Sequence, residues 1–318
     1  MHLRAYGRSG LDVSPIAYGA MTIAQDPGLK DKVAPSLLAA LERGVNLIDT
    51  ARLYPGSEEI VAATLEAWGG RKAPLVSTKI APLDTGAWRH YVPMEKTFPR
   101  AQILASVEAS LKALGRERID IVHLHQWYHG WSRVDGWNRA LEDLRSAGKV
   151  RLVAVSAQDH EHDGLLGVLA TGALDGVQLI YNLFESRPRV SALPEAARMG
   201  VGVIARCVLD SGGLSGTLGP EDFARRLFLR HAPVADYLAR LAALEARFVP
   251  VHAASIPELA IRFVLSEGAV SAATIGMRTG AEVDAAIAAA EKGPLPAEIV
   301  EEIARHHVWT KNFYERLV

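Results

Sequence analysis

Reactive polar side chains follow three short apolar segments of the chain, NLIDTARLYPGSEE, LVSTKI and IDIVHLHQW. They belong to Asp49, Tyr54, Lys79 and His125. If the apolar segments are parallel strands of a barrel, their carboxyl ends converge on one face, where catalytic residues gather. A carboxylate, a phenol, an ammonium and an imidazole would then meet in one place. This combination indicates a site that donates a proton.

A second histidine, His123, precedes His125 by two residues, so both share one face of a strand. The pattern H-x-H on a barrel strand is compatible with a metal centre and hence with a metal-dependent barrel hydrolase. A metal centre needs further ligands, and neither H-E-x-x-H nor C-x-x-C occurs in the sequence. The other interpretation is that His125 reaches the active face, while His123 is a hydrogen-bonded core residue one layer deeper.

Eight apolar segments alternate with stretches of helical length. Many are apolar on both alternating faces, as expected for parallel strands buried on two sides. The candidate strands are 15–19, 45–49, 75–79, 119–125, 150–156, 176–181, 201–206 and 272–276, and the candidate helices are 33–43, 57–68, 101–114, 137–147 and 189–199. This alternation predicts a single α/β domain, residues 1–318, folded as a (β/α)8 TIM barrel. A doubly wound open sheet is the alternative.

Three stretches interrupt the alternation. The opening LRAYGRSGLDV is typical of a β-hairpin that turns at Ser9 and Gly10, and it could plug the bottom of the barrel. Residues 80–100 form a long connection, and residues 207–270 are expected to hold a loop and two helices. Long loops on the carboxyl-terminal face are where substrate selection usually lies. Ser57 is predicted to be the N-cap of the helix that it begins.

The composition narrows the choice of partners and of compartment. The 318 residues are 49% hydrophobic and 22% charged, with a formal net charge of −1. This balance gives no electrostatic reason to expect nucleic acid or a membrane as a partner. The single cysteine, Cys207, cannot form an internal disulfide, and the opening segment lacks the apolar core of a signal peptide. We therefore expect a cytoplasmic protein, as a monomer or a weak homo-oligomer.

Motifs spread over nearly the whole chain resemble the aldo-keto reductase family. They include D-x-x-x-x-Y at 49–54 followed by GSEE, a lysine at the end of the next strand, and D-I-V-x-L-H at 120–125. Further matches are YGRSGLDVSPIAYGAM, VQLIYN, VGVIA, LDSGGLSG and IGMRTGAEV. The resemblance implies a (β/α)8 barrel that reduces a small-molecule aldehyde or ketone. It also implies a nicotinamide cofactor, usually NADPH, with NADH as the alternative.

The resemblance implies that Tyr54 is the general acid. Hydride arriving at a carbonyl carbon leaves negative charge on the oxygen, which needs a proton and local stabilisation. A free phenol has a pKa of about 10, and a neighbouring ammonium from Lys79 is expected to lower it. Asp49 would pair with Lys79 and hold it in place. His125 would donate a hydrogen bond to the carbonyl oxygen.

The sequence lacks the G-x-G-x-x-G fingerprint of a Rossmann-type cofactor site. The resemblance instead implies a cofactor across the top of the barrel, with Ser156 and Gln178 bonded to the nicotinamide carboxamide. The glycine-containing loop 209–216 would cover the pyrophosphate. Arg278 would bind the 2′-phosphate, a task suited to a planar guanidinium, and Glu282 would lie near the adenine. The candidate cofactor-binding residues are Ser156, Gln178, Arg206, Leu209, Gly212, Leu214, Gly216, Gly276, Arg278 and Glu282.

Three positions depart from the family pattern. Ala157 stands where asparagine is common, so one carboxamide contact is missing or is supplied by Gln158. Arg206 stands where an aromatic residue commonly stacks on the nicotinamide. A guanidinium can also stack on a flat ring, but a cation should disfavour the oxidised, positively charged form. Ala286 replaces an asparagine near the adenine. A non-catalytic nucleotide-binding or regulatory protein on the same fold is therefore an alternative.

Aromatic side chains in the long loops are expected to wall the substrate pocket. The candidates are Trp88, Trp127 and Tyr128, with His129 beside them. Aromatic walls suit sugars, aromatic aldehydes and cyclic ketones alike. The sequence therefore predicts a carbonyl substrate without selecting one.

Overall fold

A closed barrel of eight parallel strands forms the centre of the molecule, which confirms the predicted architecture. The computed structural model describes residues 1–21, 30–69, 72–83, 91–226 and 228–309. The strands are β1 (Arg4–Ala5), β2 (Asp12–Val13), β3 (Ile16–Gly19), β4 (Leu47–Asp49), β5 (Leu75–Ile80), β6 (Ile119–Trp127), β7 (Val150–Ala157), β8 (Gly176–Ile180), β9 (Gly202–Arg206) and β10 (Ala272–Ile275). Strands β3 to β10 pair in chain order, and β10 also pairs with β3, so the open-sheet alternative is excluded.

The predicted hairpin is present at the start of the chain. Strands β1 and β2 pair antiparallel, and Ser9 and Gly10 lie between them. The ring of Tyr6 is fully buried against the amino-terminal ends of the barrel strands. A Cβ on Gly176 would lie 1.9 Å from the Tyr6 hydroxyl oxygen, so only glycine leaves room for this ring. The hairpin thus closes the bottom of the barrel, in a cluster formed by Tyr6, Leu11, Val13, Ala17, Leu47, Ile121, Leu152, Ala154, Ile204 and Ala272.

Helices alternate with the barrel strands, and each of the five predicted helices lies within three residues of an observed one. None of the described helices has both the length and the apolar character needed to cross a membrane. The helices are α1 (Lys30–Glu42), α2 (Ser57–Trp68), α3 (Met94–Thr97), α4 (Arg100–Leu114), α5 (Arg139–Ser146), α6 (Leu166–Leu169), α7 (Ala192–Arg198), α8 (Pro220–Arg225), α9 (Val234–Phe248), α10 (Ile256–Leu265), α11 (Gly280–Glu291) and α12 (Ala297–His306).

The segment 207–270 contains more helix than its sequence predicts. A 3-10 turn (Asp210–Ser215) is followed by three helices, α8, α9 and α10, where two were expected. The additional helix, α8, has six residues and begins at Pro220, which suits the first turn of a helix. Six residues are too few to produce the apolar periodicity that reveals a helix in a sequence.

The register of the barrel brings the candidate residues to one end. Asp49 pairs with Ser77 across β4 and β5, and Lys79 pairs with His123 across β5 and β6. Further round the barrel, His125 pairs with Ser156, and Ser156 pairs with Gln178. These positions lie toward the carboxyl ends of their strands. A parallel barrel exposes that face to its loops, which is where sites form.

Candidate active site

One cleft at the carboxyl-terminal face of the barrel contains most of the candidate residues. Its volume is about 1490 Å³. At one end it is lined by Asp49, which ends β4, by Tyr54 in the loop after β4, and by His125 near the end of β6. At the other end it is lined by Arg278 and Glu282, which lie just after β10 and in α11. A long ligand could therefore span from the acid–base residues to the start of α11.

Lys79 and Asp49 form a buried ion pair below the floor of the cleft. The Lys79 Nζ lies 2.8 Å from Asp49 Oδ2 and 2.7 Å from the carbonyl oxygen of Thr50. The other carboxylate oxygen, Oδ1, accepts a hydrogen bond of 2.9 Å from the Ser77 hydroxyl. Burial alone would lower the pKa of Lys79, but the charge and hydrogen bond of Asp49 raise it overall. Lys79 is therefore an ammonium with a fixed partner.

Tyr54 lies beside this ammonium. The Lys79 Nζ is 5.2 Å from the centroid of the Tyr54 ring. From the sequence, Lys79 is expected to lower the pKa of Tyr54. Lys79 does lower it, but the net shift in the structure is upward, so the expectation is wrong for the pKa as a whole. Burial raises the pKa of Tyr54 above the ordinary phenol value, and the opposing effect of Lys79 is smaller. The phenol consequently stays protonated at neutral pH, which is the form that an acid requires.

The loop that carries Tyr54 is tied down at both ends. Ser57 is not the N-cap of α2, because Gly56 occupies that position. Its hydroxyl instead lies 2.7 Å from the Thr50 hydroxyl and donates to the Ala20 carbonyl oxygen at 3.2 Å. Glu58, which the sequence reasoning did not single out, is 1% exposed and accepts a hydrogen bond of 2.7 Å from Thr78. These bonds fix the loop to β5 next to Lys79.

The two histidines of β6 occupy different layers, as one of the two sequence interpretations expects. His125 lines the cleft, and burial lowers its pKa well below the ordinary imidazole value, with Lys79 and Arg206 adding to the shift. His123 is fully buried, and its Nε2 lies 3.0 Å from the Ser77 hydroxyl. Burial lowers the pKa of His123 to about 4. Both imidazoles are therefore neutral at physiological pH.

The described residues around these histidines do not form a metal-binding site. Across the described ranges, no three histidine, cysteine, aspartate or glutamate side chains lie close enough together to hold a metal ion. His123 instead lies within hydrogen-bond distance of Ser77, whose hydroxyl also bonds Asp49. The geometry of His123 is that of a core histidine.

Ser156 and Gln178 present buried polar atoms that have no partner in the described part of the chain. Both residues are fully buried, on neighbouring positions of β7 and β8. The Ser156 hydroxyl and both amide atoms of Gln178 form no hydrogen bond there. Buried polar groups are nearly always satisfied, so an unsatisfied set indicates a missing ligand. Together the two side chains supply donors and acceptors, which is what a carboxamide needs.

Arg206, at the end of β9, is paired rather than alone. Its Nη2 donates to the carbonyl oxygen of Ala157 at 2.9 Å and to Asp159 Oδ1 at 2.7 Å. The same carboxylate oxygen accepts a hydrogen bond of 3.0 Å from Gln126 Nε2. Burial alone would raise the pKa of Asp159, but Arg206 lowers it to about 2. Asp159 did not stand out in the sequence, because the pair joins positions 47 residues apart.

The loop after β9 has a strained backbone over the cleft. The φ angles of Asp210, Ser211 and Gly212 are 45°, 58° and 99°, in the left-handed region that non-glycine residues rarely adopt. The Tyr237 hydroxyl holds this turn by donating to Asp210 Oδ2 at 2.8 Å. A Cβ on Gly213 would lie 2.0 Å from that hydroxyl oxygen. Within the turn, the backbone N–H groups of Asp210 and Gly212 donate to the carbonyl oxygens of Cys207 and Leu209, each at 2.8 Å.

The predicted residues of this loop have different positions. Leu209 and Gly212 line the cleft, whereas Leu214 is fully buried in the core. Gly216 ends the turn and is not among the described residues that line the cleft. Arg226, which sequence reasoning missed, lines the cleft and donates to the carbonyl oxygen of Ser211 at 3.3 Å. It lies in a run of several arginines, and nothing in the sequence distinguishes it from the others.

An exposed ion pair marks the far end of the cleft. Arg278 Nη2 lies 3.1 Å from Glu282 Oε1, and the backbone N–H of Arg278 donates to Glu282 Oε2 at 2.6 Å. The side chains are 48% and 38% exposed. Gly276 and Ala286 line the cleft beside them. Lys292, a further cation that the sequence reasoning did not select, is bonded to a glutamate on α10 and also lines the cleft.

The aromatic wall differs from its prediction. Tyr128 lines the cleft with Tyr91 and His129, and its ring centroid lies 5.3 Å from that of Tyr91. Trp127 does not line the cleft. It is 2% exposed and packs in the core with the rings of two other tryptophans, at 5.7 and 4.9 Å between centroids. Tyr128 follows the end of β6, and the pairing of β6 with β7 is irregular between His125 and Trp127, so regular strand alternation does not predict which way Trp127 faces. The predicted Trp88 lies outside the described residues.

The fold and the cleft are those of an α/β-barrel enzyme, and comparisons with known proteins give its family. The sequence profile of the Aldo/keto reductase family matches residues 15–307. The chain therefore belongs to the aldo/keto reductase family and is an oxidoreductase enzyme of that family, which confirms the resemblance read from its motifs.

Individual relatives match over almost their whole length. The chain is 28% identical to the aldo-keto reductase YhdN of Bacillus subtilis, over 90% of this chain and 87% of that protein. It is also 28% identical to a D-threo-aldose 1-dehydrogenase of a Pseudomonas species, over 94% of this chain and 96% of that protein. Among solved structures, the holo form of an aldo-keto reductase from Bacillus halodurans matches with a TM-score of 0.78 and 25% identity, over 98% of this chain and 99% of that chain.

Proposed function

We propose that this enzyme reduces an aldehyde or ketone to an alcohol with NADPH, and that Tyr54 is the general acid. The observation that carries this proposal is the buried Lys79–Asp49 pair directly beside the Tyr54 ring, at the floor of the cleft. A protonated phenol next to a fixed ammonium can give up a proton and be stabilised as the phenolate. Bound NADPH would supply the hydride.

Tyr54, Lys79 and His125 have different roles in the proposed proton transfer. Tyr54 holds its proton, because burial raises its pKa above the ordinary phenol value. Lys79 stabilises the negative charge that remains on the phenol oxygen after proton transfer, and Asp49 keeps Lys79 in position. His125 is neutral, because burial lowers its pKa, so it can donate one hydrogen bond to the substrate oxygen without adding a charge.

The cofactor-facing residues fit the shape of a nicotinamide dinucleotide. The unsatisfied polar atoms of Ser156 and Gln178 match the carboxamide, with Ala157 supplying a carbonyl oxygen to Arg206 rather than a side-chain contact. The strained turn that contains Asp210 and Ser211 would cover the pyrophosphate from above the cleft. Gly276, Leu209 and Gly212 would allow close approach along the cleft.

The preference for NADPH depends on Arg278. Its guanidinium is half exposed at the end of the cleft, and a 2′-phosphate would compete with Glu282 for it. A dianionic phosphate accepts stronger bonds than a carboxylate pair at a solvated surface. Glu282 would then turn toward the adenine side. This competition is the reason to measure NADPH and NADH side by side.

The substrate is a small carbonyl compound that contacts Tyr128, Tyr91 and His129 at the mouth of the cleft. The Pseudomonas relative is named for an aldose, and polar residues such as Gln126 on the same wall suit a hydroxylated substrate. We propose that the chain acts as one domain in the cytoplasm, as a monomer or a weak homo-oligomer. No partner such as nucleic acid or membrane is part of this proposal.

The test combines a fluorescence titration with turnover. Purified wild-type protein is titrated with NADPH and NADH, and Tyr54→Phe is compared with it. We expect Tyr54→Phe to bind NADPH as the wild type does and to lose turnover by about 10²–10⁴-fold, the usual contribution of a general acid. The matched control is Tyr6→Phe, which removes a hydroxyl without a described partner at the bottom of the barrel. Retained turnover in Tyr54→Phe would contradict the acid assignment.

A further inference from the structure

Two cations and two carboxylates face each other across the acid–base end of the cleft. Lys79 is paired with Asp49, and Arg206 is paired with Asp159. The first pair lies below Tyr54. The second lies between β9 and the loop after β7, where the Arg206 side chain is 14% exposed and the Asp159 side chain is 40% exposed. Each of these two cations thus has its own counter-charge.

Further hydrogen bonds hold the Arg206–Asp159 pair in place. The same guanidinium nitrogen bonds both the Ala157 carbonyl oxygen and Asp159, and Gln126 donates a second hydrogen bond to the same carboxylate oxygen. The pair therefore joins β6, β7 and β9. Asp159 is ionised at every physiological pH, since its pKa is held to about 2.

The Arg206 guanidinium lies where its charge can affect a bound nicotinamide. Arg206 lines the cleft and pairs with Ile180 of β8, two residues beyond Gln178. Its charge acts on both Tyr54 and His125. Under the proposed function, a nicotinamide bonded to Ser156 and Gln178 lies against it. That ring is neutral when reduced and positive when oxidised. A cation without a counter-charge would therefore repel the oxidised nicotinamide and leave the reduced one unaffected.

We propose that Asp159 is a positioning residue that holds Arg206 beside the nicotinamide and cancels its charge, so that the cleft does not discriminate against the oxidised cofactor. The inference rests on the proposed function, because it needs the nicotinamide at this end of the cleft. It assigns a role to a carboxylate that the sequence motifs do not include. It also explains how an arginine is tolerated where a positively charged ring has to bind.

The test is the ratio of two dissociation constants, Kd for NADP⁺ divided by Kd for NADPH, measured by calorimetric or fluorescence titration without substrate. Asp159→Asn keeps the shape and hydrogen-bonding reach of the side chain and removes its charge. We expect this variant to raise the ratio by about tenfold, mainly through weaker NADP⁺ binding. Arg206→Gln leaves the Asp159 charge without its partner and should shift the ratio in the opposite direction.

The control is Asp163→Asn, a carboxylate four residues further along that does not line the cleft. Its ratio should equal that of the wild type. Equal weakening of both nucleotides in Asp159→Asn, or a shift of the same sign in Arg206→Gln, would overturn the inference and leave the proposed function intact. If the wild type binds neither nucleotide, the proposed function itself is wrong and the inference falls with it.

Discussion

The Lys79–Asp49 pair at one end of the cleft and the Arg278–Glu282 pair at the other differ in burial. Lys79 and Asp49 have side chains that are 2% and 7% exposed, whereas those of Arg278 and Glu282 are 48% and 38% exposed. A buried charge that loses its partner is strongly destabilising, while an exposed pair contributes about 0–1 kcal/mol. The acid–base end is therefore fixed by the fold. The far end can exchange one anion for another.

Breaking the buried pair should have the largest effect. Asp49→Ala leaves the Lys79 ammonium without its counter-charge in the core, and we expect it to lower the free energy of unfolding by about 3–5 kcal/mol. Urea denaturation followed by circular dichroism measures this loss. Asp284→Ala, which breaks an exposed pair with Arg43, is the matched control and should cost less than about 1 kcal/mol. Equal losses in the two variants would show that burial does not separate these pairs.

Low pH should lower the stability of the folded protein through His123, which is buried next to the Lys79–Asp49 pair. The folded pKa of His123 is about 4, below the ordinary value of 6.5, so the unfolded chain binds a proton first as the pH falls. Stability is therefore full above pH 6.5 and declines toward pH 4, by on the order of 3 kcal/mol for this one group. Asp49 and Lys79 face His123 and act on it with opposite signs.

Denaturation curves at several pH values between 7.5 and 4.5 would measure this decline. His123→Gln keeps a side chain that can bond Ser77 but cannot titrate, and it should flatten part of the pH dependence relative to the wild type. Parallel curves for the two proteins would contradict a buried neutral His123. His125 titrates in the same sense and remains in both proteins, so the difference between the curves reports His123 alone.

At the exposed end, the expected effect appears in affinity rather than stability. Arg278→Ala should weaken NADPH binding by about 1.5–3 kcal/mol, roughly ten- to a hundredfold, because a charge-assisted contact to the 2′-phosphate is lost. NADH binding should change little. Arg305→Ala, on α12 and outside the cleft, is the control. Titration of both nucleotides decides the matter, and equal losses for NADPH and NADH would argue against the 2′-phosphate role.

The smallest effect is expected from Glu282→Gln. The substitution removes a competitor for the Arg278 guanidinium, so NADPH affinity should improve by a few-fold while stability changes by less than about 1 kcal/mol. The hydrogen bond that Glu282 accepts from the Arg278 backbone can be kept by the amide oxygen. Weaker NADPH binding in this variant would mean that Glu282 helps to hold the nucleotide rather than competing with it.

The sequence predicts those features that depend on neighbours in the chain. Strand β7 and helix α4 follow from local apolar patterns, and the hairpin follows from its turn residues. The order of motifs also brings Asp49 and Lys79 to adjacent strand ends. Each of these properties is set within a few residues or by the regular register of a parallel barrel.

Features that depend on packing could not be read in this way. The net pKa shift of Tyr54 depends on how much protein covers the ring, which the sequence does not state. The direction in which Trp127 faces depends on an irregularity in the pairing of β6 with β7, which the sequence does not reveal. The partner of Arg206 is a carboxylate on another loop. The additional helix α8 is too short to give a periodic signal.

The hairpin that closes the bottom of the barrel also limits the route by which solvent and ligands reach the site. Tyr6 fills the space at the amino-terminal ends of the strands, so the ion pair below Tyr54 meets solvent from above alone within the described structure. Exchange of ligands and protons with solvent at this ion pair would therefore take place through the loop face of the barrel, and the amino-terminal face would take no part in it.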